Sequence, residues 1–461
     1  MAPWRHHRCM ALDPPALPNA GRTAEPQDPD STRIADDEVV ASSRRRIRRR
    51  TIVLGAALVL LLAMAAVYSQ KDRYTGHFAE LSRSIIGSEN TARIEKVYFS
   101  VQDRIDRTKY SIFGGSTNPF SGDEPLYTYV SGAQAALAED VNLTAQAPLH
   151  AAVAPTPVIT ATPAPTATPI PKPAPLVLPP ITQLSSSPED GEGVWTTAGL
   201  PHSSPDDVLM AKTFLHPDKS RPYATVGVLI ADKRRIQVHM VGGTDDPGGD
   251  LGVHGPGVIP DADLPKLLVA WNGGFRGPHG GFGMIADGKQ YRPIRDGLAS
   301  AVILQDGSFH IGQWGRDFTM STTPYSAIRQ NAVLLVDNCQ VSSRTAEGND
   351  TWGYVKVDSS EFITWRSAIG LTKNGDLMVA AGNSLSAATL ANALWAAGAC
   401  YAMQLDINSP YVLTSLFFQQ SDGSIKSSRF MDSMPDSPTR FLGKQPHDFM
   451  YVTLDETNYV P

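Results

Sequence analysis

A run rich in Pro, Ala and Thr, between residues 148 and 180, divides this 461-residue chain in two. Proline fixes φ and has no backbone N–H, so such a run fits neither a helix interior nor the centre of a sheet. It favours extended polyproline II, at about 3.1 Å per residue, and Lys172 is its one charged residue. We therefore expect residues 121–190 to be a Pro-rich linker and residues 191–461 to form the compact domain.

The N-terminal part contains an apolar run long enough to cross a membrane. Residues 51–68 carry no charge, and a helix of about 20 apolar residues spans the hydrocarbon core. Six arginines in residues 44–50 precede the run, which predicts a cytoplasmic N-terminus by the positive-inside rule. We expect residues 1–43 to be a disordered cytoplasmic tail and residues 44–70 to be the basic flank and a single transmembrane helix. A cleaved signal peptide is the alternative; in both cases the C-terminal domain is extracytoplasmic.

Residues 71–120 show a helical pattern after this run. Apolar residues recur at helical spacing from Phe78 to Ile105, and Gly87 interrupts the pattern. The spacing predicts a helical juxtamembrane stalk; a poorly ordered tether is the other interpretation. The chain is thus expected in the cell membrane, as a single-pass protein of bacterial type.

Alternating apolar residues predict strands in the C-terminal domain. Residues 226–230 and 236–240 alternate on either side of a polar break, which predicts a β-hairpin. Asp306–Gly307, Asn374–Gly375 and Asp422–Gly423 mark three further hairpin turns. These signals favour a mostly antiparallel or mixed sheet.

One helix stands out among these strands. Residues 387–397 place apolar side chains at helical spacing, with Ser386 as the predicted N-cap and Gly398 as the terminator. Since this helix must pack on the sheet, the predicted class is α+β, with packed helices in one C-terminal globular domain behind the transmembrane helix and the linker.

Charge and cysteine content exclude several classes of protein. A net charge of −6 disfavours nucleic acid as the principal partner, because the protein and the nucleic acid are both negatively charged. Three cysteines are too few for a disulfide framework or a CxxC zinc site. Cys339 and Cys400 share the exported domain and could pair. We expect no cofactor and leave a metal requirement open.

Polar residues beside apolar strands are the candidates for chemistry. Asn272 and His279 lie in the glycine-dense stretch 271–284, where the backbone can approach a ligand closely. Arg366 precedes an apolar strand and carries a planar fork suited to carboxylate or phosphate. Asp406 and Asn408 follow the apolar strand over residues 399–405. Turn formation and structural ion pairing are the alternatives for these residues.

Taken in order, these blocks resemble the phosphodiester glycosidase domain family, in its bacterial branch. The resemblance covers about residues 222–457. It is carried by Asn272–Gly273–Gly274–Phe275, by Arg366–Ser367–Ala368–Ile369–Gly370, and by the strand that ends in Leu405–Asp406. Further blocks similar to the bacterial branch include Arg329–Gln330–Asn331.

The resemblance implies roles for these positions. Asp406, Arg366 and His279 are the expected catalytic residues. The expected substrate contacts are Asn272, Gly273, Gly274, Asn408, Arg329 and Asn331. Cleavage of a glycosyl phosphodiester expels a phosphate monoester that is already a stable anion, so one carboxylate acting as base or nucleophile can suffice.

The sequence therefore predicts a membrane-anchored extracytoplasmic hydrolase that cleaves a glycosyl phosphodiester in envelope or extracellular glycans. Ile407 and Asn408 stand where the family usually continues with two glycines. That departure keeps open an alternative, a catalytically inactive module of the same fold that binds a glycan or wall polymer.

Overall fold

The computed structural model describes residues 85–115, 117–120, 126–129, 173–353, 362–434 and 437–456. All of them belong to one compact unit, residues 71–461. The predicted tail and membrane span, residues 1–70, lie outside the described residues, as does most of the predicted linker. In the described ranges no helix is both long enough and apolar enough to cross a bilayer.

Eighteen strands of the described part form three sheets, and every pairing between them is antiparallel. The strands up to the glycine-dense loop are β1 (Tyr127–Tyr129), β2 (Met210–Leu215), β3 (Val226–Ala231), β4 (Ile236–Val241) and β5 (Leu267–Asn272). The middle strands are β6 (Met284–Ala286), β7 (Lys289–Arg292), β8 (Ala299–Leu304), β9 (Phe309–Gln313), β10 (Tyr325–Gln330), β11 (Leu334–Asp337) and β12 (Gln340–Val341). The last strands are β13 (Thr364–Thr372), β14 (Leu377–Leu385), β15 (Ala399–Gln404), β16 (Thr414–Gln419), β17 (Ile425–Arg429) and β18 (Phe449–Leu454).

The order of the strands brings distant parts of the chain together. The six-stranded sheet has the order β1-β17-β16-β5-β18-β4, so β5 lies between two strands from the C-terminal fifth of the chain. The five-stranded sheet has the order β7-β6-β10-β8-β9, and the seven-stranded sheet the order β12-β11-β15-β13-β14-β3-β2. The ends of β5 and β15, where sequence analysis places candidate residues, therefore belong to two different sheets.

Helices are few in this part of the chain. They are α1 (Ser88–Phe113), α2 (Asn349–Trp352) and α3 (Ala387–Ala396). The predicted helix over residues 387–397 is confirmed as α3. Ser386 caps it by accepting a hydrogen bond from the Thr389 N–H, and the Thr389 hydroxyl accepts one from the Ser386 N–H. Gly398 adopts φ of 100° just beyond the end of the helix.

The predicted α+β class is wrong: the described part is a mostly β structure of three antiparallel sheets. The reason is how the apolar faces are covered. The larger hydrophobic core contains residues of all three sheets, so the sheets pack mainly on one another. A smaller core lies between the seven-stranded sheet and α3. One well-packed helix therefore suffices where the prediction required several.

The predicted hairpin between residues 226–230 and 236–240 is also absent. β3 pairs with β2 and β14, whereas β4 pairs with β18 in another sheet. The turn between them carries the chain from one sheet to the other. The three glycine-containing turns do form hairpins, between β8 and β9, β13 and β14, and β16 and β17.

Two segments that precede the domain pack against it. α1 contacts it through Asp103, which accepts hydrogen bonds from Arg221 at 3.1 Å and from the Tyr223 hydroxyl at 2.6 Å. The C-terminal end of the predicted linker contributes Leu176 to the smaller core, and the Thr182 N–H donates to the Ala396 carbonyl at 2.8 Å. The domain boundaries predicted from the sequence stay a prediction.

Candidate functional site

The glycine-dense loop begins where β5 ends, and a buried ion pair holds it. Arg329 donates to both oxygens of Asp448, from Nε at 2.8 Å and from Nη2 at 2.9 Å, and its Nη2 also binds the Phe275 carbonyl. The Arg329 side chain is fully buried. A Cβ on Gly273 would lie 2.0 Å from an Asp448 carboxylate oxygen, and one on Gly274 would lie 2.8 Å from the Arg329 guanidinium carbon. Both positions therefore require glycine.

Asn272 joins the end of β5 to the segment that follows β15 and contains Asp406. Its Nδ2 donates to the Ser367 hydroxyl at 2.9 Å, and its Oδ1 accepts the Leu413 N–H at 3.2 Å. Ser367 donates in turn to the Asp406 carbonyl at 2.8 Å, and the Asp406 N–H donates to the Gly273 carbonyl at 3.0 Å. Asn272 is therefore a positioning residue, because its polar atoms are engaged in fixing the backbone of Asp406.

Asp406 is a buried carboxylate, 5% exposed. Its Oδ1 accepts two hydrogen bonds from Asn408, from the backbone N–H at 2.9 Å and from Nδ2 at 2.7 Å. Within the described residues, no Lys or Arg forms an ion pair with it. Burial raises the pKa of Asp406, and the hydrogen bonds from Asn408 and the charge of His447 only partly oppose this. The arrangement is that of a buried carboxylate held by neutral hydrogen-bond donors.

A second acidic residue binds an arginine and a histidine side chain. Asp246 accepts hydrogen bonds from Arg276 Nε at 2.7 Å and from His447 Nδ1 at 2.9 Å, both at Oδ2. Its Oδ1 accepts the Gly277 N–H at 3.1 Å. Burial alone would raise the pKa of Asp246, but the hydrogen bond from His447 and the charge of Arg276 outweigh it and lower that pKa. We call these three residues the Asp246 clasp.

Contacts connect the clasp to Asp406. The rings of His447 and Tyr411 meet edge to face, with centroids 4.5 Å apart. The Tyr411 N–H donates to the Asn408 carbonyl at 2.8 Å, and Asn408 binds Asp406. Arg276, His447, Tyr411 and Asn408 are all half-buried, whereas Asp406 is buried. The buried Asp406 carboxylate is thus linked through Asn408 and Tyr411 to half-buried His447 and Arg276. An arginine can bind an anion, and a carboxylate can act as base or nucleophile.

Arg366 is not brought to Asp406. It is 1% exposed and donates to the carbonyls of Leu385, Trp352 and Phe362 and to the Gln404 side chain. Successive side chains of a strand point to opposite faces, and Ser367, not Arg366, faces Asn272 and Asp406. Desolvation lowers the pKa of Arg366 to about 9. Its guanidinium supports the segment before β13 and the end of β14.

Two other predicted residues lie near the loop in supporting positions. Asn331 is buried, accepts the Phe275 N–H at 3.1 Å and donates to the Gln404 carbonyl at 2.8 Å, so it ties the loop to β15. His279 is half-buried, and its N–H donates to the Arg276 carbonyl at 2.9 Å. It therefore lies in the turn that carries Arg276.

The sequence pattern did not point to Asp246, His447 or Tyr411 as site residues, and it did not distinguish Arg276 within its loop. A signal exists for the first two. Asp246 lies in a Gly- and Asp-rich turn after β4, and His447 precedes β18 as part of a polar pair before an apolar strand. Both are polar residues at strand ends, the criterion that found Asp406, but only strand order shows that β4, β5 and β18 are neighbours.

The described residues near the site include a disulfide but no cluster of metal ligands. Over the ranges given above, no group of three or more His, Cys, Asp or Glu side chains could hold a metal ion. Cys339 and Cys400 form a disulfide, and the Cys339 N–H donates to the Cys400 carbonyl at 2.8 Å. Cys400 lies in β15, six residues before Asp406, so the bond fixes the strand that carries the buried carboxylate.

Neither family models nor curated proteins match this chain. Solved structures that are similar to it include the catalytic domain of zebrafish N-acetylglucosamine-1-phosphodiester α-N-acetylglucosaminidase, auto-inhibited by its pro-peptide. That match has 18% identity and a TM-score of 0.36, and covers 61% of this chain and 98% of the zebrafish chain.

A hypothetical protein from Synechocystis matches at 11% identity and a TM-score of 0.28, over 53% of this chain and 62% of that one. A putative exported protein from Burkholderia pseudomallei matches at 12% identity and a TM-score of 0.24, over 50% of this chain and 74% of that one. These values describe a distant likeness in fold.

Proposed function

We propose that this protein is a hydrolase that cleaves a glycosyl phosphodiester at the site formed by Asp406 and the Asp246 clasp. The observation that carries the proposal is the buried Asp406 carboxylate with a raised pKa, held by Asn408 and linked through Tyr411 to His447, which shares Asp246 with Arg276. The blocks that resemble phosphodiester glycosidases converge there at Asn272, Gly273 and Asp406.

The roles follow from what each side chain touches. Asp406 acts at the anomeric carbon, either as nucleophile or as base for water. Arg276 is half-buried and bound through Nε to Asp246, and it neutralises the phosphate in place of Arg366, whose donors are engaged elsewhere. His447 contributes a second donor on the same side. Asp246 positions both cations and does not touch the substrate.

A phosphodiester suits this site better than an ordinary glycoside. An ordinary glycosidase needs two carboxyl groups, one of which protonates a poor leaving group. Here the second carboxyl, Asp246, is engaged by Arg276, His447 and the Gly277 N–H, and its lowered pKa keeps it ionised. It is therefore a poor general acid. A phosphate monoester leaves as an anion without protonation, so one free carboxylate is enough.

The proposed setting is outside the cytoplasm. The disulfide between Cys339 and Cys400 is of a kind that persists in oxidising compartments. Envelope and extracellular glycans contain glycosyl phosphodiesters and are the substrate class proposed. Membrane attachment through residues 51–68 stays a prediction of the sequence.

The test measures sugar release by the full-length chain from a methyl phosphodiester of N-acetylglucosamine 1-phosphate and from the glucose analogue. We expect Asp406→Asn to lower kcat by at least about 10³-fold, because it removes the reacting carboxylate while keeping an acceptor for Asn408. Activity of the unaltered protein should fall as the pH is lowered through the raised pKa of Asp406, since only the ionised form reacts.

Asp376→Asn is the matched control. Asp376 is also a buried aspartate whose pKa burial raises, but it accepts hydrogen bonds from Thr372 in the turn between β13 and β14. That variant should keep its kcat. If the protein binds sugar phosphodiesters without cleaving them, it is a binding module and not a hydrolase. An equal loss of kcat in the Asp406 and Asp376 variants would show that Asp406 does not take part in the reaction.

A further inference from the structure

Most of α1 consists of two consecutive repeats of 11 residues, of which only the last residue, Gly114, lies beyond the helix. Residues 93–103 read RIEKVYFSVQD, and residues 104–114 read RIDRTKYSIFG. Over the first nine places the two repeats agree in chemical character at all but the fifth and sixth. An 11-residue period corresponds to about 3.67 residues per turn, so each repeat position stays on one face of the helix.

One face of the repeat packs on the chain's own domain. The seventh place holds Phe99 in one repeat and Tyr110 in the other. The Phe99 ring meets Phe362 with centroids 6.0 Å apart, and the Tyr110 ring meets Tyr223 with centroids 6.2 Å apart. The two repeats therefore attach to the domain in an equivalent way.

The opposite face is apolar and exposed to solvent. Its equivalent places hold Ile94 and Ile105, which are 55% and 41% exposed, and Val101 and Ile112, which are 53% and 66% exposed. At about 100° per residue these four fall within about 20° of one line along the helix, roughly 27 Å long, and Phe99 lies about 140° away from it. We call this line the isoleucine stripe. An apolar surface of this regularity on a helix indicates a partner.

Charges on the two sides of the stripe have opposite signs. Arg93 and Arg104 precede Ile94 and Ile105 by one residue and form a basic flank. Glu95 and Asp106 follow the same isoleucines by one residue and form an acidic flank. Arg93 and Arg104 are exposed, and Glu95 and Asp106 are half-buried.

We propose that α1 pairs in parallel with α1 of a second copy of this chain, stripe to stripe, in a coil of right-handed sense. When two identical helices lie parallel about a twofold axis, the basic flank of each faces the acidic flank of the other. An antiparallel pair places basic against basic and acidic against acidic. The 11-residue period gives the supercoil its hand. The opposite face of each helix remains on its own domain, so the pairing joins two domains without displacing either.

The orientation is tested by oxidative cross-linking of the full-length chain in a Cys9→Ser background, which leaves only the cysteines of the disulfide. Ile94→Cys alone and Ile112→Cys alone should each give a covalent dimer, because identical positions meet in a parallel pair. Ser100→Cys is the control, since Ser100 is exposed on the same helix but lies off the stripe. Dimers formed only when the two isoleucine variants are mixed would show an antiparallel pair and overturn the proposal.

The charges are tested separately by sedimentation of the same background. Reversing the basic flank with Arg93→Glu and Arg104→Glu should weaken self-association at least tenfold, and so should Glu95→Arg with Asp106→Arg. Mixing the two variants should restore a dimer, since each flank again faces its opposite. Two results would overturn the proposal. One is self-association that neither charge reversal affects, and the other is a stripe cysteine that never cross-links between chains because the chain's own segments cover it. An unchanged unfolding midpoint of the domain shows that the variants are folded.

Discussion

Arg366 and Arg276 use the same functional group in two different ways. Arg366 is buried, and its guanidinium donates to three backbone carbonyls and to Gln404. Arg276 is half-buried and shares Asp246 with His447. A guanidinium with saturated donors stabilises the fold, whereas a partly exposed one beside a reactive carboxylate can bind substrate.

This contrast gives opposite expectations for two alanine variants. Arg366→Ala leaves buried carbonyls without donors and should lower the free energy of unfolding by about 3 kcal/mol, with little change in KM for the folded fraction. Arg276→Ala should raise KM for the phosphodiester at least tenfold and change stability less. Chemical denaturation and steady-state kinetics of both variants measure the two effects. A higher KM in the Arg366 variant, with an unchanged free energy of unfolding, would indicate that Arg366 contacts the substrate.

The sequence pattern singled out Asp406 and Asn272, because each lies at the end of an apolar strand, whereas Gly273 and Gly274 came from the family resemblance. It could not separate Arg366 from Arg276, because the strand pattern does not tell which face of β13 meets β5. Asn272 and Arg366 were both expected to touch the substrate, and both instead support the backbone through buried hydrogen bonds.

At the scale of elements, the Asp246 clasp joins three loops of the six-stranded sheet. Asp246 follows β4, Arg276 follows β5, and His447 precedes β18; these three strands are adjacent in the sheet. The loops therefore meet at one edge, and hydrogen bonds among them fix the mouth of the site. Asp246 contributes this stability only while it is ionised.

The pH dependence of stability follows from the lowered pKa of Asp246. Because the folded pKa lies below the ordinary value, the contribution is complete above about pH 4 and is lost as the pH falls through the folded pKa. Asp246→Asn should lower the free energy of unfolding by about 2 kcal/mol at pH 6, and by less at pH 3. Urea unfolding at both values measures this. The exposed neighbour Asp245 provides the control as Asp245→Asn, and a deficit that does not shrink at pH 3 would contradict the assignment.

Turns were predicted well where glycine decides the geometry. Asp306–Gly307, Asn374–Gly375 and Asp422–Gly423 each close a hairpin, and each glycine has a positive φ. The turn at Asp232–Arg235 contains no glycine; Arg235 donates to Asp207 at 2.7 Å, and Arg234 donates to Asp232 at 2.6 Å. Alternating strands look alike whether they pair with each other or belong to different sheets, so the crossing could not be seen in the sequence.

At the scale of the whole molecule, the disulfide closes a segment of 61 residues that includes β13, β14 and α3. It joins the turn after β11 to β15, which are neighbouring strands of the seven-stranded sheet. The α+β class was wrong at this scale, because the sequence shows that faces are apolar but not that another sheet covers them.

Removal of the disulfide should destabilise the domain without changing its chemistry. Cys339→Ser with Cys400→Ser should lower the free energy of unfolding by about 2–4 kcal/mol, since the unfolded chain regains the freedom of the closed segment. Thermal unfolding followed by circular dichroism measures the loss, and Cys9→Ser, which leaves the bond intact, should show none. Equal midpoints for the two proteins would mean that the bond contributes nothing to the fold.

In the proposed reaction, the hydrogen bond from Arg276 to Asp246 also affects how the product departs. An incoming phosphodiester carries one negative charge and meets a guanidinium whose field is already partly neutralised. After cleavage the monoester carries more charge, and a lone buried arginine would retain it. Because the Asp246 carboxylate competes for Arg276, the phosphate monoester is bound less tightly, which favours turnover over product inhibition.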